Sequence, residues 1–262
     1  MKIASVQIAC VLGDIEANVR KMGEFSVRAK GEGADLIAFP EVSDTGYSMP
    51  VIQNCARPWS EGAVPALREI ARTQSIAIIS GVSEREGEAI YNSQVFIDPN
   101  GEIVGRYRKA HLFSGSPGSE EKCFRPGNEF SSFPFGGLQI GLSICYDLRF
   151  PEVFRALAIG KQANVFVLSA AWPFPRLEHM RVLAVARAIE NQSYMILSNR
   201  VGTDEGVTCC GGSVIIDPYG VILAAGSSDR EELVVGTISE EVIRVVRRRM
   251  AVFEQRRPEL YS

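Results

Sequence analysis

Apolar and polar positions alternate along this chain in two rhythms, and the rhythms take turns. Residues 2–9 have the run of a strand. From 15 to 32 the spacing becomes helical, with Ile15, Val19, Met22, Phe25 and Val27 roughly on one side. Residues 35–39 read as a buried strand, 63–74 as a helix and 76–82 as another buried strand. A hairpin follows, from Asn92 to Ile97, through the turn Asp98-Pro99-Asn100-Gly101, and back from Glu102 to Tyr107. The second half repeats the plan: strand 139–144, helix 151–160, strand 164–169, helix 176–191, strand 193–198, then a hairpin turning at Asp217-Pro218-Tyr219-Gly220. The two hairpins share an Asp-Pro-x-Gly turn flanked by similar apolar residues. That is either a weak internal repeat or a common turn used twice. Ser239 is placed to cap a last helix, with Glu240 and Glu241 at its positive end. The tail from Met250 onward is apolar enough to need cover. Residues 114–129 are rich in glycine and proline and read as an irregular wall or lid between two strands.

Strands alternating with helices predict an α/β fold. The 262 residues, 46% hydrophobic, suffice for one sizeable core. The net charge of −3 carries no long basic stretch, which argues against nucleic acid. No run of about 18 apolar residues occurs, so no membrane span is expected. The first residues lack a signal-peptide pattern, and six scattered cysteines suit a reducing compartment, so a cytoplasmic location is expected. With two histidines and no CxxC or HxxxH pair, a dedicated metal site is not expected.

Three polar residues stand where buried strands end, the place where α/β sheets build sites. Cys145 closes Leu-Ser-Ile-Cys-Tyr-Asp, Glu41 closes Leu-Ile-Ala-Phe-Pro-Glu, and Lys109 follows the return strand of the first hairpin. Cys145 reads as a nucleophile or as a buried structural thiol. At a strand-to-helix bend its side chain would be exposed, and the N–H of Tyr146 would face an oxyanion. Glu41 reads as a partly desolvated base or as a solvated loop residue. Strand alternation puts Lys109 on the face of Tyr107, away from Arg106 and Arg108. If Tyr107 points inward, so does Lys109, and an inward lysine needs an anion. A redox-active thiol protein is the alternative from another class, but the CxxC context it needs is absent.

Together these residues resemble the nitrilase superfamily of carbon–nitrogen hydrolases. The resemblance spans essentially the whole chain. It rests on Phe39-Pro40-Glu41 with Thr45-Gly46-Tyr47, on Tyr107-Arg108-Lys109-Ala110-His111-Leu112-Phe113, on Glu120 before Phe124-Arg125-Pro126-Gly127, and on Cys145-Tyr146-Asp147-Leu148-Arg149-Phe150-Pro151-Glu152. It implies a four-layer αββα sandwich, a single domain over 1–262 whose tail, about 250–262, packs on the body or a partner subunit, and a homodimer or larger assembly. It also implies Glu41, Lys109 and Cys145 as the catalytic triad, with Glu120 as an accessory acid, and no cofactor.

The implied chemistry is hydrolysis of a small carboxamide through a thioester, with ammonia released. The Cys145–Glu152 run, Ala171-Trp172-Pro173-Phe174-Pro175-Arg176 with His179, and the tail are similar to ω-amidases, which act on 2-oxoglutaramate or 2-oxosuccinamate. Deaminated-glutathione amidases, N-carbamoyl amide hydrolases and nitrilases are rivals within the fold. A carboxylate substrate needs a cation. Arg176 is the candidate, or else a helix-start residue paired with Glu178. Arg149 reads as structural, paired with Glu152. Tyr47, Phe113 and Trp172 are pocket or core residues, and Tyr146 adjoins the nucleophile. Cys209-Cys210 reads as two reduced thiols.

Overall fold

The computed structural model describes residues 1–115 and 118–261. The first half runs β1 (Lys2–Gln7), α1 (Ile15–Gly31), β2 (Leu36–Ala38), α2 (Met49–Cys55), α3 (Ala63–Gln74), β3 (Ala77–Glu86), β4 (Ala89–Ile97) and β5 (Ile103–Arg108). A short hairpin, β6 (Ser114–Gly115) and β7 (Gly118–Ser119), leads to a 3-10 turn, Glu120–Lys122. The second half runs β8 (Ser132–Phe135), β9 (Leu138–Ile144), a 3-10 turn Cys145–Arg149, α4 (Pro151–Arg155), β10 (Val165–Ala170), α5 (Leu177–Asn191) and β11 (Tyr194–Asn199). The chain continues through β12 (Thr203–Asp204), β13 (Val207–Thr208), β14 (Val214–Ile216), β15 (Ile222–Ala225), β16 (Glu232–Thr237) and α6 (Glu240–Arg249).

Two six-stranded sheets form, in the orders β16-β1-β2-β3-β4-β5 and β15-β14-β11-β10-β9-β8. Strand alternation then decides the layers. In β2, Leu36 and Ala38 face the other sheet, whereas Ile37 faces α1 and α3 beside Met22 and Leu67. In β10, Val165 and Val167 face inward, whereas Phe166 and Leu168 face outward onto Met180, Ala184 and Ala188 of α5. The stacking is helix, sheet, sheet, helix, as expected from the family resemblance. Helix ends follow their sequence signals: the Asp14 side chain accepts from the Ala17 N–H at 2.9 Å, and Ser239 Oγ accepts from the Glu241 N–H at 3.2 Å.

The two hairpins share more than a turn sequence. In both, the Asp side chain accepts from backbone N–H groups two and four residues on, at Asn100 and Glu102 and at Tyr219 and Val221. In both, the register slips one residue before the turn, at Phe96/Ile97 and Ile215/Ile216. Each hairpin follows three parallel strands linked through helices, β1-β2-β3 and β9-β10-β11. The repeat is therefore architectural.

Several elements depart from expectation. The strand expected at 76–82 continues to Glu86, and helix 151–160 gives way after Arg155 to a wider π-type turn over Ala156–Gly160. α2, β8 and β16 lie in stretches whose short or weak periodicity gave no signal; β16 pairs antiparallel with β1. The 114–129 segment is partly regular, holding β6, β7 and the 3-10 turn; Ser116 and Pro117 of that expected lid lie outside the described residues. In the tail, Phe253 packs on the outer helix layer under Arg155 and Arg247, whereas Leu260 and Tyr261 are exposed.

Candidate active site

Glu41 lies two residues beyond Phe39, at the end of β2. The turn carrying it presses so close to β3 that a Cβ on Gly81 would sit 2.6 Å from the Glu41 Cα, which only glycine permits. Lys109 follows β5 and shares the inward face with Tyr107. Both are about 1% exposed, while Arg106 and Arg108 reach the buried Glu84 on the other face. Gly127 makes room for this strand end: its N–H donates to Lys109 O at 2.8 Å, and a Cβ there would strike Arg108 O at 2.2 Å. Cys145 follows β9 and takes a left-handed backbone, φ +43°, a conformation costly for a residue with a Cβ. Asp147 holds that turn. Its carboxylate accepts from the Ile144 N–H at 2.9 Å and from the Tyr107 hydroxyl at 2.7 Å. It also accepts from the His111 N–H at 3.2 Å and lies 2.8 Å from His111 Nδ1, tying the Cys145 turn to the lysine loop.

The charges behind Cys145 form one fully buried cluster. Lys109 Nζ donates to Glu41 Oε1 at 2.8 Å and to Glu120 Oε1 at 2.7 Å, and none of the three side chains is exposed. Glu41 Oε1 also accepts from Asn92 Nδ2 at 2.7 Å, and Glu41 Oε2 accepts from the Ala171 N–H at 2.8 Å. Glu120 accepts from the Tyr47 hydroxyl at 2.7 Å and the Phe113 N–H at 2.8 Å. Glu121 beside it is exposed. Burial works against the Lys109 charge, but Glu120 and Glu41 outweigh it and hold the ammonium above its ordinary value. Two carboxylates against one ammonium leave one negative charge in excess. Burial, helped by Glu41, therefore raises Glu120 despite Lys109.

Cys145 opens onto a cavity of about 560 Å³. Burial first, then the Glu41 carboxylate, pushes its thiol well above the ordinary value; Lys109 and the Ala171 N–H pull it down only in part. A lysine near a cysteine is expected to favour the thiolate, and here it does not prevail because two carboxylates already neutralise it. Burial and the nearby carboxylates thus favour the thiol form of Cys145 over the thiolate.

All five residues expected at the substrate, Tyr47, Phe113, Tyr146, Trp172 and Arg176, line this one cavity. Trp172 is core and wall at once: it is buried in the outer layer, and its Nε1 donates to Arg176 O at 2.9 Å. Glu178 pairs with Arg181 at 3.1 Å instead of Arg176. Arg149 corrects the reading of a structural residue paired with Glu152. It lines the cavity, its guanidinium lies 4.7 Å over the Trp172 ring, and among the described residues it has no ion pair. Arg176 likewise has none and lies 5.8 Å over the Phe113 ring. Of the two acids on the wall, Asp204 pairs with Arg200, and Glu205 accepts from Ser48 Oγ at 2.9 Å. Among the described residues Lys122, Arg149, Arg176 and Glu205 of the wall have no ion pair, so cations outnumber anions there.

Asn92, Asp147 and the Ala171 N–H were not anticipated. The signal for Asn92 is the hairpin register, since pairing Ser93 with Arg108 sets Asn92 across from Lys109. All six cysteines are free. Cys209 and Cys210 are not bonded to each other, and burial pushes Cys209 up to about 12 and Cys210 up to about 11, disfavouring their thiolates. Among the described residues no cluster of metal ligands occurs, and no helix is long and apolar enough to cross a membrane.

Comparison with known proteins agrees with this geometry. The family model for carbon–nitrogen hydrolases matches residues 2–248. The 2-oxoglutaramate amidase of Bacillus subtilis (strain 168) is 35% identical over 260 residues, 99% of this chain and 98% of that one. Omega-amidase NIT2 of Homo sapiens is 28% identical over 270 residues, 100% and 96% of the two chains. A solved mutant of the amidase from Nesterenkonia sp. AN1, showing Michael addition of acrylamide at its active site cysteine, superposes with a TM-score of 0.88 at 27% identity, covering 100% of this chain and 98% of that one.

Proposed function

Because the chain belongs to the carbon–nitrogen hydrolase family, we propose that it is an ω-amidase, cleaving the terminal amide of a small 2-oxo dicarboxylate such as 2-oxoglutaramate or 2-oxosuccinamate. The observation that carries this reading is one cavity holding Cys145 and two arginines without carboxylate partners. A guanidinium on an aromatic face keeps its donors free for a carboxylate. The relatives' printed activities support the same substrates.

In this reading Glu41 takes the thiol proton as Cys145 Sγ attacks the amide carbon. The C–S bond forms and the carbonyl π pair moves onto oxygen. An ammonium has three N–H groups. Lys109 spends two on Glu41 and Glu120. The third, with the N–H of Tyr146, stabilises the oxyanion, each such donor being worth roughly 3–4 kcal/mol. Glu41 passes its proton to the departing nitrogen, the C–N bond breaks, and ammonia leaves a thioester on Cys145. Water then attacks the thioester carbon, giving its proton to Glu41. The C–S bond breaks, and the proton returns to sulfur as the acid leaves. Glu120 holds Lys109 and the Phe113 loop in place.

The chain acts as one domain over 1–262 in this reading, and as a homodimer or larger assembly. Support for the assembly is the apolar surface left open at Val182 of α5 and at Leu260 and Tyr261 of the tail. Six free cysteines support a cytoplasmic setting.

The test is ammonia release from 2-oxoglutaramate, succinamate, butyramide, deaminated glutathione, N-carbamoyl-β-alanine and a nitrile, with Cys145→Ala alongside. Preference for the ω-amides, lost in Cys145→Ala, is the expected result. Preference for any other member refutes the substrate and leaves the nucleophile standing. Undiminished activity in Cys145→Ala refutes the mechanism.

A further inference from the structure

We propose that Asn92 is a positioning residue that divides labour between the two oxygens of Glu41, fixing Oε1 as the held oxygen and leaving Oε2 to exchange the proton with Cys145. The proposal rests on Glu41 being the base, as read above.

Asn92 sits on β4 across from Lys109, and the two residues meet twice. The Lys109 N–H donates to Asn92 O at 2.8 Å, and both side chains donate to the same carboxylate oxygen, Glu41 Oε1, at 2.7 and 2.8 Å. Two charge-assisted bonds saturate Oε1 and fix the plane of the carboxylate. Oε2 has a single partner, the Ala171 N–H at 2.8 Å. Oε2 is therefore the oxygen with a lone pair to spare.

Asn92 also shows that its side chain is held for its donor. It is fully buried, and its Oδ1 has no hydrogen-bond partner among the described residues. A buried acceptor left unpaired is costly. A leucine of similar size would fill the space without that cost, so packing alone does not call for an asparagine here. Gln94, two residues along the same face, serves a different end: its Nε2 donates to Ser169 Oγ at 2.8 Å.

The titratable and charged groups that face Glu41 are Lys109 after β5, Glu120 in the following loop with Tyr47 bonded to it, Cys145 after β9 and Cys209 beyond β13. Asn92→Leu leaves all of them in place and removes only a neutral donor from a carboxylate, which disfavours its charged form.

The experiment measures the rate of Cys145 alkylation by iodoacetamide from pH 4.5 to 9, without substrate, beside kcat and KM for the amide. It uses wild type, Asn92→Leu, Gln94→Leu and Glu41→Gln. The expected result in Asn92→Leu is an acid limb moved to higher pH by about one unit, with kcat down roughly 10- to 100-fold and KM little changed. Gln94→Leu loses thermal stability while its acid limb stays with wild type. An Asn92→Leu limb that coincides with wild type in a folded protein overturns the proposal. Should Asn92→Leu not fold, Asn92→Ser, too short to reach Oε1, must show the same shift. If Glu41→Gln keeps the wild-type limb, the base reading itself fails, and the two failures are thereby told apart.

Discussion

Replacing Glu41 by glutamine tests the protonation state of the resting nucleophile. Burial and the Glu41 charge hold the Cys145 thiol well above 9.0. At pH 7 a thiol titrating two or more units higher is ionised in fewer than about one molecule in a hundred. In the proposed mechanism the wild-type enzyme does not draw on that fraction, because Glu41 removes the proton as the sulfur attacks. A glutamine keeps the shape but cannot accept the proton. It also offers one acceptor oxygen where the carboxylate meets three donors, from Asn92, Lys109 and the Ala171 N–H. Acylation is expected to fall by roughly 10²- to 10⁴-fold, the usual worth of a positioned base.

The assay is single-turnover ammonia release between pH 6 and 9. Wild type is flat near neutrality. Glu41→Gln depends on spontaneous ionisation, so its rate climbs about tenfold per pH unit across that range. A companion measurement is the absorbance near 240 nm, where a thiolate absorbs: wild type minus Cys145→Ala shows no thiolate at pH 7. A full thiolate signal at pH 7, or a Glu41→Gln rate within a few-fold of wild type and independent of pH, refutes the reasoning.

Two further outcomes follow from the same charges. Replacing Arg176 or Arg149 by alanine raises KM for an anionic ω-amide about 10- to 100-fold, the worth of a charged hydrogen bond, and leaves a neutral amide such as butyramide unaffected; equal responses to the two substrates remove the arginines from recognition. Burial raises Asp44 from 3.8 to about 6 against the hydrogen bonds from Ser83, so the folded protein binds that proton more tightly than the unfolded chain. Stability is then full below about pH 4 and is lost as pH rises through 6, by about 3 kcal/mol at about 1.36 kcal/mol per unit. Asp44→Asn flattens that decline, read as urea midpoints from pH 4 to 7, and parallel profiles for the two proteins refute it.

The layered fold was legible because alternation within short apolar strands is strong when both faces are buried. Leu36, Ile37 and Ala38 divide between two cores, as Val165 to Leu168 do. Lys109 was legible for the same reason, through its parity with Tyr107. The state of the thiol was not, because it depends on how many carboxylates reach one lysine, and Glu120 arrives from a loop with no periodicity. Arg149 was misread because nearness in sequence to Glu152 brings no ion pair; the Trp172 ring that it covers follows a different strand. Asn92 was hidden by composition, since a polar residue in a strand commonly marks the solvent face, and here that face meets a second sheet.

The site draws on both sheets, and this bears on how its distances are held. Glu41, Asn92 and Lys109 come from strands of the first sheet or their ends; Cys145 and the Ala171 N–H come from ends of strands in the second. Apolar contact between two sheets is weakly directional and alone would let them slide. Buried hydroxyls supply the direction. Ser169 Oγ of β10 donates to Phe39 O at 2.7 Å, two residues before Glu41 and two before Ala171 on its own strand. Ser198 Oγ of β11 lies 3.0 Å from Ala38 O, and Ser5 Oγ of β1 donates to Leu197 O at 2.8 Å. A hydrogen bond weakens steeply as its angle departs from linearity, whereas a methyl contact has no preferred direction. The bolts nearest the strand C-termini therefore locate Glu41 against Cys145, while the apolar interior beyond them supplies cohesion without needing to supply register.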